Sequence, residues 1–134
     1  MVKRLTKELK KEYEEINDLW KEVFKNIENK FFVNETKKEI DQKFNNFIAQ
    51  FISLNNGFTK EMQPDYDAYC GNYFLNKGIL EEKLRNYDFA LRNYNLSKIF
   101  NPSNEEINPH LERILGIIKN LSHNSHNKNY ENTL

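Results

Sequence analysis

The fold is decided by residues 71–104, which read GNYFLNKGILEEKLRNYDFALRNYNLSKIFNPSN. Apolar residues in this stretch recur at steps of three and four, the period of a helix with one buried face. They predict one helix over 65–84, a tight turn at 85–86 and a second helix over 87–100. Pro102 marks the end of the second helix, because proline cannot continue one. The stretch therefore predicts a helical hairpin.

The same residues resemble a tetratricopeptide (TPR) repeat, a helix–turn–helix unit of 34 residues. In that family, small residues let the two helices approach, aromatic side chains fill the wedge between them, and a proline closes the second helix. The residues that match these roles are Phe74, Gly78, Tyr87, Ala90, Tyr94 and Pro102. The resemblance covers about a quarter of the chain. It departs from the family pattern at Lys77, Glu81, Arg85 and Ser97, where leucine, an aromatic residue, glycine and alanine are usual.

The resemblance implies a surface for a partner protein. In the family, the first helix of each repeat lines a concave groove that receives an extended or helical peptide. The residues of this chain that would face such a groove are Asn72, Leu75, Asn76, Ile79, Glu82 and Lys83. The two asparagines would bond a peptide backbone, and Leu75 and Ile79 would offer an apolar pocket. The alternative is that these residues are solvated surface or contact the second helix.

Helical periodicity also continues towards the N-terminus. Apolar residues at steps of three and four, without glycine or proline, predict a long helix over 3–32. Thr36 and Glu39 have the spacing of a capping box, which predicts a second helix over 36–54. Gly57 is expected to close that helix in the left-handed conformation.

A fifth helix is predicted over 108–121, with Asn108 as its cap and Pro109 in its first turn. It resembles the first helix of a following, incomplete repeat. The polar residues 122–134 have no apolar period and are predicted to be a disordered tail. The expected fold is therefore all-α: a single domain over 1–121, a TPR-like right-handed stack of about five helices in antiparallel hairpins. Its parts are an N-terminal hairpin at 3–54 and a TPR-like hairpin with a capping helix at 65–121.

One repeat cannot bury its own apolar faces, so either the N-terminal hairpin or a second chain must cover them. In the first helix, apolar residues recur every seven positions, the spacing of a coiled-coil seam. They are Val2, Leu9, Ile16 and Val23. Glu12 interrupts the seam. Packing within the chain is the favoured interpretation, and a homo-oligomer assembled through this helix, such as a homodimer, is the alternative.

Composition limits the function classes further. Twenty basic residues balance twenty acidic ones, so no net field attracts nucleic acid or an anionic membrane. A nucleic-acid-binding regulator is therefore the less favoured alternative. The chain has one cysteine, no N-terminal apolar run and no stretch of the length that crosses a bilayer, about 20 apolar residues. A cytoplasmic protein that uses neither nucleic acid nor membrane is expected, and its abundant Lys and Asn indicate an AT-rich genome.

Residues with chemical potential are few and scattered. No glycine-rich phosphate loop and no metal-binding spacing occurs in the sequence. His123 and His126 lie in the predicted tail, His110 is expected on the surface, and Cys70 is expected to be a buried, inert thiol. We therefore predict no catalytic residue, no metal and no cofactor. The expected function is non-enzymatic: an adaptor or chaperone-like module that binds a peptide segment of another protein.

Overall fold

The chain is built from helices alone in the part that the structure describes. A computed structural model describes the backbone of residues 5–133 and the side chains of residues 5–122. This part of the chain contains no strand, which confirms the all-α fold. The helices are α1 (Lys7–Lys25), α2 (Lys30–Leu54), α3 (Gln63–Lys83), α4 (Tyr87–Phe100) and α5 (Ile107–Thr133). The chain forms two compact units, Met1–Tyr69 and Cys70–Leu134.

The predicted helix over 3–32 is wrong, because two asparagines interrupt it. The backbone and side-chain N–H groups of Asn26 both donate to the carbonyl of Glu22, the side-chain bond at 2.9 Å, and α1 ends there. Asn29 then caps α2 with its side-chain oxygen. Asparagine competes for local backbone hydrogen bonds in this way, and an apolar period does not reveal it.

The predicted start of the second helix at Thr36 is also wrong. Thr36 is buried inside α2, which begins at Lys30. The predicted end is confirmed, since α2 stops at Leu54 and Gly57 takes a left-handed φ of 104°. The Gly57 N–H donates to the carbonyl of Ile52 at 2.9 Å, which satisfies a carbonyl of the last helical turn.

The apolar seam of α1 is buried within the protein. Leu9, Ile16 and Val23 are all buried, and α1 packs against α2. Val2 lies outside the described residues. These seam residues are therefore covered within the chain, which agrees with the favoured interpretation, and a homo-oligomer assembled through α1 stays an untested alternative.

Tyr69 is the last residue of the first unit and contacts other aromatic residues of that unit. Its ring meets those of Phe47 and Phe51 edge-on, at centroid distances of 5.1 and 5.3 Å, and it lies 4.9 Å from Tyr13. These contacts tie the start of α3 to the first hairpin. The division consequently falls inside α3 and not in the connector at 58–64 that separates the predicted hairpins.

The second unit contains the hairpin that the sequence predicted. Helix α4 has the predicted bounds, and Arg85 occupies the preceding turn with a left-handed φ of 64°. The unit's core contains Leu75, Ala90, Tyr94, Ile107 and Ile114. It therefore combines α3, α4 and α5. The TPR-like handedness of their stacking stays a prediction.

Helix α5 begins at Ile107, one residue before the predicted cap, and continues to Thr133. The backbone over 122–133 is thus helical, in contrast to the predicted disordered tail. The prediction relied on the loss of apolar period after Leu121. The loss of period shows where the apolar stripe ends, but it does not by itself end a helix. No glycine or proline follows Gly116 to interrupt the helix.

Candidate interaction surface

The apolar half of the predicted groove lies in the core of the second unit. Leu75 is only 7% exposed and belongs to the core cluster, and Ile79 is half-buried against the same cluster. Ile107 and Ile114 of α5 are part of that cluster. The expectation of an open pocket at Leu75 and Ile79 is therefore contradicted, because α5 supplies the apolar partners that a bound peptide would have supplied.

The polar half of the predicted groove is more accessible. Asn72 and Lys83 are exposed, and Asn76 is half-buried. Their spacing of four and seven residues places them on one strip of α3. The strip therefore presents two amide side chains and one cation at the surface.

Glu82, the remaining groove residue, is held by side chains from α4 and α5. Arg113 donates two hydrogen bonds to its carboxylate, from Nε at 2.5 Å and from Nη2 at 2.7 Å, and Tyr94 donates a third from its hydroxyl at 2.7 Å. The Arg113 bonds hold the pKa of Glu82 below its ordinary value. Burial, assisted by the bond to Glu82, raises the pKa of the Tyr94 hydroxyl. Glu82 therefore joins three helices and is not free to face a partner.

His110 belongs to the same polar cluster, which the sequence did not predict. Its ring stacks on Tyr94 at a centroid distance of 5.1 Å, and its Nδ1 lies 2.6 Å from Nη2 of Arg113. Burial lowers the pKa of His110, and the neighbouring guanidinium lowers it further. His110 is thus partly exposed, and its contacts with Tyr94 and Arg113 were not predicted.

The residues that carry the TPR resemblance are placed as tight packing requires. A Cβ atom on Gly78 would lie 2.6 Å from two ring carbons of Tyr94, and Ala90 is fully buried. Tyr87 packs against the same core. Phe74 stacks on Phe100 with centroids 5.6 Å apart, and Pro102 is exposed just beyond the end of α4.

Two departures from the family pattern have local explanations. Ser97 is buried where the family has alanine, and its hydroxyl donates to the carbonyl of Gly71 at 2.6 Å. Glu81 is buried where the family has an aromatic residue, and it accepts a hydrogen bond from the side chain of Asn86 at 2.8 Å. Both polar groups are thus satisfied, as burial demands.

An exposed apolar face on α4 is the surface that the sequence analysis missed. Phe89, Leu96 and Ile99 are 56%, 38% and 71% exposed, although all three are large and apolar. Ala90 and Tyr94 are buried on the other side of the helix. The helical period separates these two sets, because each exposed residue lies about 100–180° around the helix axis from each of the two buried ones. We call Phe89, Leu96 and Ile99 the α4 outer face.

The α4 outer face adjoins an open groove at the start of the helix. The groove has a volume of about 620 Å³ and lies between the first turn of α4 and α5. Its lining residues are Arg85, Asn86, Tyr87, Asp88, Phe89, Ile118, Leu121 and Ser122. Leu121 is 52% exposed, so this end of the second unit presents further apolar area.

Comparison with protein families, curated proteins and solved structures found no match to this chain. Among the residues whose side chains the structure describes, no three His, Cys, Asp or Glu side chains are grouped to hold a metal ion. No helix in the described part is long and apolar enough to cross a membrane. The geometry of the second unit is therefore the main guide to function.

Proposed function

We propose that the protein is a non-enzymatic interaction module of the cytoplasm, adaptor-like or chaperone-like, and that its second unit binds a segment of another protein. The observation that carries this proposal is the α4 outer face. Fully burying a large apolar side chain contributes about 1.5–3 kcal/mol. A partner that covered the exposed parts of Phe89, Leu96 and Ile99 would therefore gain part of its binding free energy from the burial of these side chains.

The TPR resemblance supports a peptide as the bound segment. The exposed strip of α3, formed by Asn72, Asn76 and Lys83, carries amide side chains, which have donors and acceptors of the kind that a peptide backbone has. This strip is narrower than the groove expected from the family, since Leu75 and Glu82 are engaged within the unit. The α4 outer face is consequently the stronger candidate for the apolar part of the contact.

A homo-oligomer is the second candidate, and the α4 outer face is the observation that favours it. Two copies that paired through this face would cover the same three apolar side chains on each chain, as an isologous interface does. Helix α1 is the weaker surface for this purpose, because Leu9, Ile16 and Val23 are buried. Nucleic acid is not favoured, since the chain has no net charge.

Site-specific photocrosslinking tests the proposal. A photoreactive phenylalanine analogue would replace Ile99 in one variant and Asn45, an exposed polar residue of α2, in the control. Both variants would be irradiated in cells that naturally contain the protein. A distinct protein crosslinked from position 99 and not from position 45 supports the partner-binding function. An adduct of twice the chain mass supports the homo-oligomer, and identical products from both positions refute the assignment of this face.

A further inference from the structure

The neutral form of His110 can be deduced from its contact with Arg113. The guanidinium has only N–H donors, so the Nδ1 atom that lies 2.6 Å from Nη2 must act as the acceptor. The imidazole therefore carries its proton on Nε2. Arg113 uses the same Nη2 atom to bind Glu82 of α3, while the His110 ring lies on Tyr94 of α4. One acceptor nitrogen on α5 is thus coupled to contacts with both other helices.

We propose that His110 is a proton-operated latch that holds α5 against α3 and α4 while its imidazole is neutral. A proton from solvent added to Nδ1 would remove the acceptor. It would also place an imidazolium beside the guanidinium of Arg113, at a separation where two N–H donors repel. Relief requires the ring or the guanidinium to move, and either movement disturbs a contact that docks α5.

The charges around His110 act in opposite directions. The carboxylates of Glu82, on α3, and Glu106, just before α5, favour the protonated ring, whereas Arg113 and burial oppose it. Tyr94 contributes a neutral face and a hydroxyl already committed to Glu82. Glu82 is also engaged twice by Arg113. Burial and the guanidinium prevail, so the pKa of His110 lies below the ordinary value of 6.5.

The direction of the pH effect follows from this lowered pKa. A histidine that is harder to protonate in the docked state than in the released state favours docking at neutral pH. The stabilisation of docking by neutral His110 is complete at pH values above the ordinary histidine pKa. It is lost as the pH falls from that pKa to the lower pKa that His110 has in the docked state. Release of α5 would expose Leu75 and Ile79. Binding of a partner segment to these two exposed side chains rests on the proposed function.

Hydrogen exchange of the full-length protein tests the latch without any partner. Exchange of peptides from residues 107–121 would be compared at about pH 7.5 and about pH 5.5, corrected for intrinsic exchange and referred to α2 peptides. Opening of α5 should increase at the lower pH. The maximum increase is a factor of about ten for each unit by which the docked pKa lies below the released one. His110→Asn, which retains an acceptor that does not titrate, should remove this increase.

Two results would overturn the latch. One is α5 protection that is independent of pH in the wild type, or that changes equally in His110→Asn. The other is a His110 pKa at or above 6.5 in an NMR titration, where the signal is assigned by its absence from the variant. The titration needs only the wild-type fold, so the latch can be refuted even if the variant is unstable. The photocrosslinking result is independent of both.

Discussion

Gly78→Ala tests the close approach of α3 and α4. The added Cβ would lie 2.6 Å from both Cδ1 and Cε1 of Tyr94, well inside the favourable carbon separation of about 3.5–4.0 Å. Tyr94 is fully buried and its hydroxyl is bonded to Glu82, so the ring has little room to move. Overpacking costs about 1–3 kcal/mol, and this immobile ring places the cost near the upper end. Alanine regains about 0.5–1 kcal/mol over glycine within a helix, which leaves a net loss of about 2 kcal/mol.

Gly116→Ala is the matched control, because its added Cβ has no heavy atom within 4 Å apart from its chain neighbours and the nearby backbone of its own helix. This variant gains the helical contribution of about 0.5–1 kcal/mol alone. The helical gain is common to both variants, so the difference between them isolates the clash, about 3 kcal/mol. Urea unfolding followed by far-ultraviolet circular dichroism measures both, while Trp20 fluorescence reports on the unmutated first unit. A Gly78→Ala protein as stable as Gly116→Ala would refute the reasoning.

Three further predictions concern single side chains, two of them buried and one, Glu82, half-buried. Ser97→Ala removes the 2.6 Å hydrogen bond to the carbonyl of Gly71 and should lower the unfolding free energy by about 1 kcal/mol; an unchanged urea midpoint would contradict this. The pKa of Glu82 is lower in the folded protein than in the unfolded chain, so its charged form stabilises the fold. This contribution is present above the ordinary pKa of a glutamate and is lost as the pH falls through the lowered pKa of the folded state. Glu82→Gln should therefore flatten the acid limb of stability measured against pH, and a profile identical to wild type would exclude this carboxylate as its source. Ile16→Glu places a charge at a buried position and should unfold the first unit, seen as a change in Trp20 fluorescence. A folded variant that only loses mass in light scattering would restore α1 as an oligomer interface.

The sequence predicted the elements whose signals are local. Gly57 ends α2 as expected, and α4 has the predicted bounds, because turn chemistry and apolar period agree at those places. The break between α1 and α2 was missed since Asn26 and Asn29 terminate and start helices through their side chains. Asparagine is so frequent in this chain that its position alone carries little information.

The candidate site was harder to predict, because it depends on which helix faces which. A helical period identifies an apolar stripe but not its occupant. Leu75 and Ile79 are apolar, as a peptide pocket requires, but residues of α5 already cover them in the core of the second unit. Polar residues were harder still: Glu82 and Arg113 are 31 positions apart, and their pairing appears only when α3 and α5 are adjacent. The TPR resemblance predicted the α3–α4 hairpin, but it did not predict which residues of that hairpin contact α5.

The burial pattern also decides how a partner-binding surface can be tested. Leu75→Asp would place a charge in the core of the second unit, so loss of binding in that variant would not distinguish a lost contact from a lost fold. Ile99 offers the cleaner perturbation, because it is largely exposed and does not belong to the core cluster. Ile99→Asp should leave the unfolding free energy within about 0.5 kcal/mol of the wild type. A partner lost with Ile99→Asp and retained with Asn45→Asp, a charge placed at an exposed residue of α2, therefore identifies the α4 outer face as a contact surface. A partner retained by both variants would leave the exposed strip of α3 as the remaining candidate.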